Sequence, residues 1–311
     1  MKRPFLILAA AASLLIMSCS LFGNKVPLTP EEQRLQRINL LDTTLTDRVL
    51  PDTIPGFDRL AALSAEAWML VDDSTGLVLS QKNAGEKRFM ASLTKMMTCL
   101  LALENGNMSD TVCILPADCP TRDSRVKAGD SYKLADLVRE MMLVSDNNAA
   151  CAVARHVGGD TLSFCQMMNG KAHYLGMDST RFANPNGMPN DSNYSCARDL
   201  VRLTRYCMAD SVFANIVGTA EADLPLTDGR HLPCLNTNRL LTTYAGCIGI
   251  KTGYTRQASG CLACAATRDG TTLHLVLLGS RGRVARFSES AVLLDFGFRV
   301  MKAYSEATER Q

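Results

Sequence analysis

Three short motifs lie in order along this chain: Ser92-Leu93-Thr94-Lys95, then Ser145-Asp146-Asn147, then Lys251-Thr252-Gly253. Their local settings differ, so any fold that uses them together must gather a helix start, an inter-helix turn and a strand around one cleft. Ala91 to Asn105 carries apolar residues at Leu93, Met96, Met97, Leu100 and Leu101, the spacing of a buried helix, and Gly106 ends it. The second motif follows the helical pattern Leu134, Leu137, Val138, Met141, Met142 and precedes a helix predicted from Ala149 to Val157. The third continues the apolar run Cys247-Ile248-Gly249-Ile250. Another strand is predicted at Cys261 to Thr267, then a turn at Asp269-Gly270, then a strand from Thr272 to Gly279. Asp-Gly between two apolar runs is a hairpin signal.

Ser92 and Lys95 are three residues apart on one helix, so amine and hydroxyl share a face. A neutral amine there can take the serine proton. The electropositive helix N-terminus, burial and a second cation such as Lys251 all disfavour the ammonium form. That turns a lysine into a base near neutral pH. A capping serine followed by a surface lysine would explain the first motif alone, since S-x-x-K arises by chance about once in a chain of this size. Ser145 and Asp146 are likewise ordinary N-cap residues. The ordered set of three outweighs the first of these readings, whereas capping at the second motif can hold alongside its functional role. In the third motif Lys251 projects from a strand, and Gly253 allows a substrate backbone to approach that strand closely.

With these residues in place, the chain resembles the serine-type D-alanyl-D-alanine carboxypeptidases, the low-molecular-mass penicillin-binding proteins. The likeness extends to the hairpin Trp68 to Leu79, Tyr194-Ser195-Cys196-Ala197-Arg198-Asp199-Leu200, Gly249 to Thr255 and Asp295-Phe296-Gly297-Phe298, and covers about Ala65 to Val300. The resemblance implies hydrolysis of the terminal D-Ala-D-Ala bond of peptidoglycan stem peptides. Ser92 attacks the carbonyl to form an acyl-enzyme, with Lys95 as base. Ser145 passes the proton to the departing D-alanine, and Lys251 polarises Ser145. Asn147 holds the peptide amide, and Thr252 with Arg281 binds the terminal carboxylate. The backbone N–H groups of Ser92 and Tyr254 form the oxyanion hole, each such donor contributing about 3 kcal/mol. β-Lactams are expected to acylate Ser92 as inhibitors. A D,D-endopeptidase, or a lipoprotein that binds peptidoglycan or β-lactams without turnover, are the alternatives.

Three departures from the family pattern stand out. Asp146 replaces the usual glycine, Tyr254 stands where several members have histidine, and the chain stops at Gln311, where many relatives continue into a further β domain and an anchor helix. Ser-Asp-Asn is also the form found in class A β-lactamases. Those enzymes need a deacylating glutamate, and Glu221, the one glutamate between Asp146 and Ile250, lies in a strand-like segment. A carboxypeptidase-like loop, Asn184 to Met188, fills the place of the glutamate loop. An efficient β-lactamase is therefore not expected.

Lys2 and Arg3 precede an apolar stretch from Phe5 to Met17, the pattern of a secretory signal peptide. Ile16-Met17-Ser18-Cys19 resembles a bacterial lipobox, which implies lipidation of Cys19 and anchoring to an envelope membrane on the extracytoplasmic side. The expected organisation is a signal peptide over 1–18, a lipid-anchored spacer over 19–64 with one short helix at Glu31 to Leu41, a catalytic domain over 65–303 and a tail over 304–311. The whole chain has 33 Lys and Arg against 31 Asp and Glu; losing 1–18 removes Lys2 and Arg3 and leaves 31 of each. Such a balance argues against nucleic acid as partner.

Twelve cysteines leave eleven once Cys19 is set aside, so at least one is unpaired, and Cys113–Cys119 is the expected local pair. Cys261 and Cys264 are predicted to face opposite sides of a strand, which opposes a redox or metal site. His156, His173, His231 and His274 are scattered without metal-ligand spacing, so neither metal nor cofactor is expected. The fold expected is α/β: an antiparallel sheet built from the N-terminal hairpin and the C-terminal strands, flanked by terminal helices, plus an all-helical lobe, in the manner of β-lactamases and D,D-peptidases.

Overall fold

The computed structural model describes residues 28–39 and 57–308. The predicted signal peptide, Cys19 and most of the spacer lie outside these residues. Five antiparallel strands form the central sheet: β1 (Ala67–Asp72), β2 (Val78–Lys82) and, at the C-terminal end, β7 (Cys247–Thr255), β8 (Ser259–Arg268) and β9 (Thr271–Ser280), in the order β2-β1-β9-β8-β7. The remaining strands, β3 (Thr111–Cys113), β4 (Ser131–Lys133), β5 (Glu221–Pro225) and β6 (His231–Leu235), pair as two small ribbons. Asp269 and Gly270 both have positive φ, the two-residue turn that matches the twist of the strands it joins.

The sheet is covered on both faces, so its strands are apolar on both sides. Met69, Val71, Ala263, Val276 and Leu278 join the core shared with the helical lobe. Trp68, Leu70, Leu262, Leu275 and Leu277 join a second core with Leu293, Leu294, Phe296 and Val300 of the last helix, Gly282–Thr308. Cys261 belongs to the first core and Cys264 to the second, as strand alternation requires. The expected sheet, terminal helix and helical lobe are all present.

In the lobe, the helix Lys95–Asn105 is buried from Lys95 through Ala102, and Leu134–Leu143, Asn147–Gly158, Thr161–Tyr174 and Ala197–Met208 pack around it. A short helix, Pro30–Asn39, docks on the lobe: Tyr206 Oη donates to Glu31 at 2.7 Å and Arg34 pairs with Asp210 at 2.7 Å. Among the described residues no helix is long and apolar enough to cross a membrane.

One expectation fails. Cys113 and Cys119 are both free thiols, the first at an exposed strand end and the second half-buried just beyond the 3₁₀ turn Pro116–Asp118. The other nine described cysteines are free as well.

Candidate active site

The helix start predicted at Ala91 divides into a 3₁₀ turn, Ala91–Thr94, and the α-helix from Lys95. In 3₁₀ geometry residues three apart eclipse, so Lys95 Nζ lies 3.1 Å from Ser92 Oγ. The amine also lies 2.7 Å from Asn147 Oδ1 and 2.5 Å from the Asn186 carbonyl oxygen. Both of those are pure acceptors. A neutral amine has two N–H donors and one lone pair, so it can satisfy both oxygens and keep a lone pair free to accept the Ser92 proton. Burial pushes the Lys95 pKa down to about 7, against the opposing pull of the Asp146 carboxylate and Cys151. Lys251 is equally buried, and its amine is held well below the usual lysine range by desolvation first, then by the Lys95 and Arg286 cations.

Ala91 and Ser145 have φ of 48° and 67°, left-handed conformations uncommon outside glycine. The first aims the turn that carries Ser92; the second reverses the chain between the helices Leu134–Leu143 and Asn147–Gly158. Asp146 caps the latter helix by accepting from Ala149 N at 2.9 Å. The same carboxylate accepts from Ser124 Oγ at 2.5 Å and Arg125 N at 2.9 Å. Asp146 thus anchors the neighbouring 124–126 segment and sets the turn that carries Ser145 and Asn147.

Strand β7 passes so close to the Ser92 turn that a Cβ on Gly253 would sit 2.9 Å from Met90 O and 3.1 Å from Ser92 N. The glycine makes room for the chain's own Ser92 turn. The same approach brings the backbone leading to Tyr254 beside the Ser92 N–H. Gly187 meets an equal constraint: φ is 81°, and a Cβ there would lie 2.0 Å from Ala91 O. Asn184 Oδ1 accepts from Gly187 N at 2.7 Å, and Thr98 Oγ1 donates to Pro185 O at 2.6 Å, which holds the Asn186 carbonyl at Lys95.

Thr252 is buried and shares a 2.7 Å hydrogen bond with Thr237 Oγ1. Thr237 N donates to Leu143 O at 2.9 Å, tying the strand to the helix end that precedes Ser145. The Tyr254 ring is exposed, with the Arg283 guanidinium 4.4 Å from its centroid. Arg281 is exposed, and its backbone N–H donates to Ser64 Oγ at 2.9 Å. The arginine that meets the strand is Arg286, buried, with Nη1 2.6 Å from Gly253 O. Thr237 and Arg286 are brought here only by the packing of distant segments, whereas Asn186 belongs to the Asn184 to Met188 loop, whose sequence is itself carboxypeptidase-like. Glu221 is exposed at the start of β5, paired with Leu235 of β6.

The model of the D-alanyl-D-alanine carboxypeptidase family matches residues 56–282. The chain is 32% identical to the D-alanyl-D-alanine carboxypeptidase DacF of Bacillus subtilis, over 76% of this chain and 63% of that protein. It is 35% identical to DacB2 of Mycobacterium tuberculosis, over 75% of this chain and 82% of the relative. It is 30% identical to a D-alanyl-D-alanine endopeptidase of Pseudomonas aeruginosa, over 78% and 80%. Among solved structures, a Streptomyces DD-transpeptidase superposes with a TM-score of 0.71 at 32% identity, covering 76% of this chain and 97% of that one.

Proposed function

The chain belongs to the D-alanyl-D-alanine carboxypeptidase family, and on that premise we propose that it removes the terminal D-alanine of peptidoglycan stem peptides through an acyl-enzyme on Ser92. The buried Lys95 amine within 3.1 Å of Ser92 Oγ carries this reading. Lys95 takes the Ser92 proton as Oγ attacks the penultimate carbonyl, and the backbone N–H groups of Ser92 and Tyr254 receive the oxyanion. Ser145 delivers a proton to the departing D-alanine, and Lys251 polarises Ser145. Asn147 orients the substrate amide. Thr252 and the strand-backing Arg286 draw in the terminal carboxylate, a role that exposed Arg281 is less well placed to fill. Water then releases the shortened peptide. β-Lactams offer an amide of the same geometry and acylate Ser92 in the substrate's stead.

Supply of a pentapeptide ending in D-Ala-D-Ala tests the proposal directly. Free D-alanine should appear with the native chain and vanish with Ser92→Ala, along with labelling by a fluorescent penicillin. Labelling that survives Ser92→Ala would show that the nucleophile is misassigned. The endopeptidase relative supports a second reading, in which the leaving amine belongs to a cross-linked peptide; cleavage of cross-linked dimers without D-alanine release would select it. Stoichiometric labelling without any product would leave a binding lipoprotein.

The Ile16-Met17-Ser18-Cys19 sequence supports lipidation of Cys19 and residence on the envelope side of a bacterial membrane. Incorporation of a clickable palmitate that Cys19→Ala abolishes is the expected result. A soluble, unlabelled native chain would overturn it.

A further inference from the structure

Eleven described thiols are free, and two of them flank the same seam beside the site. The segment 118–121 lies along the helix Asn147–Gly158 and is tied to it at both ends. Arg155 Nε donates to Asp118 Oδ1 at 2.9 Å, and Thr121 N donates to Asn148 Oδ1 at 3.1 Å while Asn148 Nδ2 donates to Thr121 O at 3.1 Å. Cys119 sits between Asp118 and Thr121; Cys151 sits three residues after Asn148 and four before Arg155, on the same side of the helix. The two ties therefore bracket the two thiols and bring them to one seam, both half-buried.

Cys151 also borders the catalytic network. It lies one turn beyond Asn147, and its sulfur accepts from Asn186 Nδ2 at 3.3 Å. Asn186 in turn places its carbonyl oxygen 2.5 Å from Lys95 Nζ.

We propose that Cys119 and Cys151 form a reversible disulfide that clamps the 118–121 segment to this helix and draws Cys151 away from Asn186, slowing acylation of Ser92. This rests on the site reading above only for its effect on rate, and the cross-link is read independently. The oxidant is an exchanging disulfide, either a protein disulfide or oxidised glutathione. The Cys119 thiolate attacks it and expels one thiolate, leaving a mixed disulfide. The Cys151 thiolate then attacks the Cys119 sulfur and expels the second. Two protein thiols lose two electrons and two protons, and the exchanging disulfide is reduced to two thiols. Burial raises the Cys151 thiol pKa to about 11, so the second step quickens as pH rises.

The test is to incubate the purified full chain with oxidised or reduced glutathione, alkylate, digest without reductant and map peptides by mass spectrometry. In parallel, acylation by a fluorescent penicillin is timed. A Cys119–Cys151 cross-linked peptide is expected, with acylation slowed about ten-fold and restored by dithiothreitol. Cys119→Ser should acylate at the reduced native rate and ignore the oxidant. A Cys113–Cys119 cross-link, full alkylation of both thiols after oxidation, a cross-link without change in rate, or an oxidant response that persists in Cys119→Ser would each overturn the proposal. If no acylation occurs in either form, the peptide map still decides whether the pair forms, while the failure lies with the site reading.

Discussion

Replacing Lys95 by methionine isolates the cost of burying an amine at the centre of the protein. Lys95 is fully buried, and burial lowers its pKa from 10.5 to about 7. Between those values the unfolded chain holds a proton that the folded chain has released. The unfolded state binds more protons, so the contribution of Lys95 to stability rises with pH across this window and is lowest below pH 7. At 1.36 kcal/mol for each tenfold change, the whole difference is about 5 kcal/mol. The part recovered between pH 7 and pH 9.5 is about 3 kcal/mol. Methionine matches the side chain in length and does not titrate. Losing the bonds to Asn147 and Asn186 costs about 1–3 kcal/mol for each acceptor left unmet, and that cost does not depend on pH. Urea unfolding of both proteins at several pH values separates the two contributions. The stability of Lys95→Met relative to the native chain should fall by about 3 kcal/mol from pH 7 to pH 9.5. A difference that stays constant over that range would mean that Lys95 keeps its proton in the folded protein, and the reasoning that makes it a base would be refuted.

Acylation by a fluorescent penicillin should quicken as pH rises through about 7, where Lys95 loses its proton; a rate constant unchanged between pH 5.5 and pH 8.5 would contradict this. Asp146→Ala removes a helix cap and the ties to Ser124 and Arg125. It should destabilise by about 3 kcal/mol, a fall in Tm of roughly 10 °C by calorimetry. Arg286→Leu should raise KM for a D-Ala-D-Ala peptide by about ten-fold or more, while Arg281→Leu stays within about two-fold; the reverse order would restore Arg281 to the carboxylate. Gly253→Ala places a methyl 2.9 Å from Met90 O and 3.1 Å from Ser92 N, so acylation should slow by at least about ten-fold with the far-UV circular dichroism spectrum unchanged.

Periodicity and turn chemistry are local properties, and they carried the sheet hairpin at Asp269-Gly270, the opposed faces of Cys261 and Cys264, and the helices on either side of Ser145. The i, i+3 spacing also placed Lys95 at Ser92, because both lie on one continuous turn. Everything that joins distant segments stayed hidden. A backbone carbonyl such as that of Asn186 is the same group at every position, so its place at Lys95 could not be read from residue type. Arg281 and Arg286 differ only in where the last helix begins to turn, and that rotation puts Arg286, not Arg281, against Gly253 O. The work of the Asp146 carboxylate is likewise set by chain remote in sequence, since Ser124 and Arg125 rest on it. Residue order by itself determined that Ser92 and Lys95 meet, since they lie three apart on one helical run; only tertiary packing decided which groups hold them, since desolvation and hydrogen-bond partners come from chain remote in sequence.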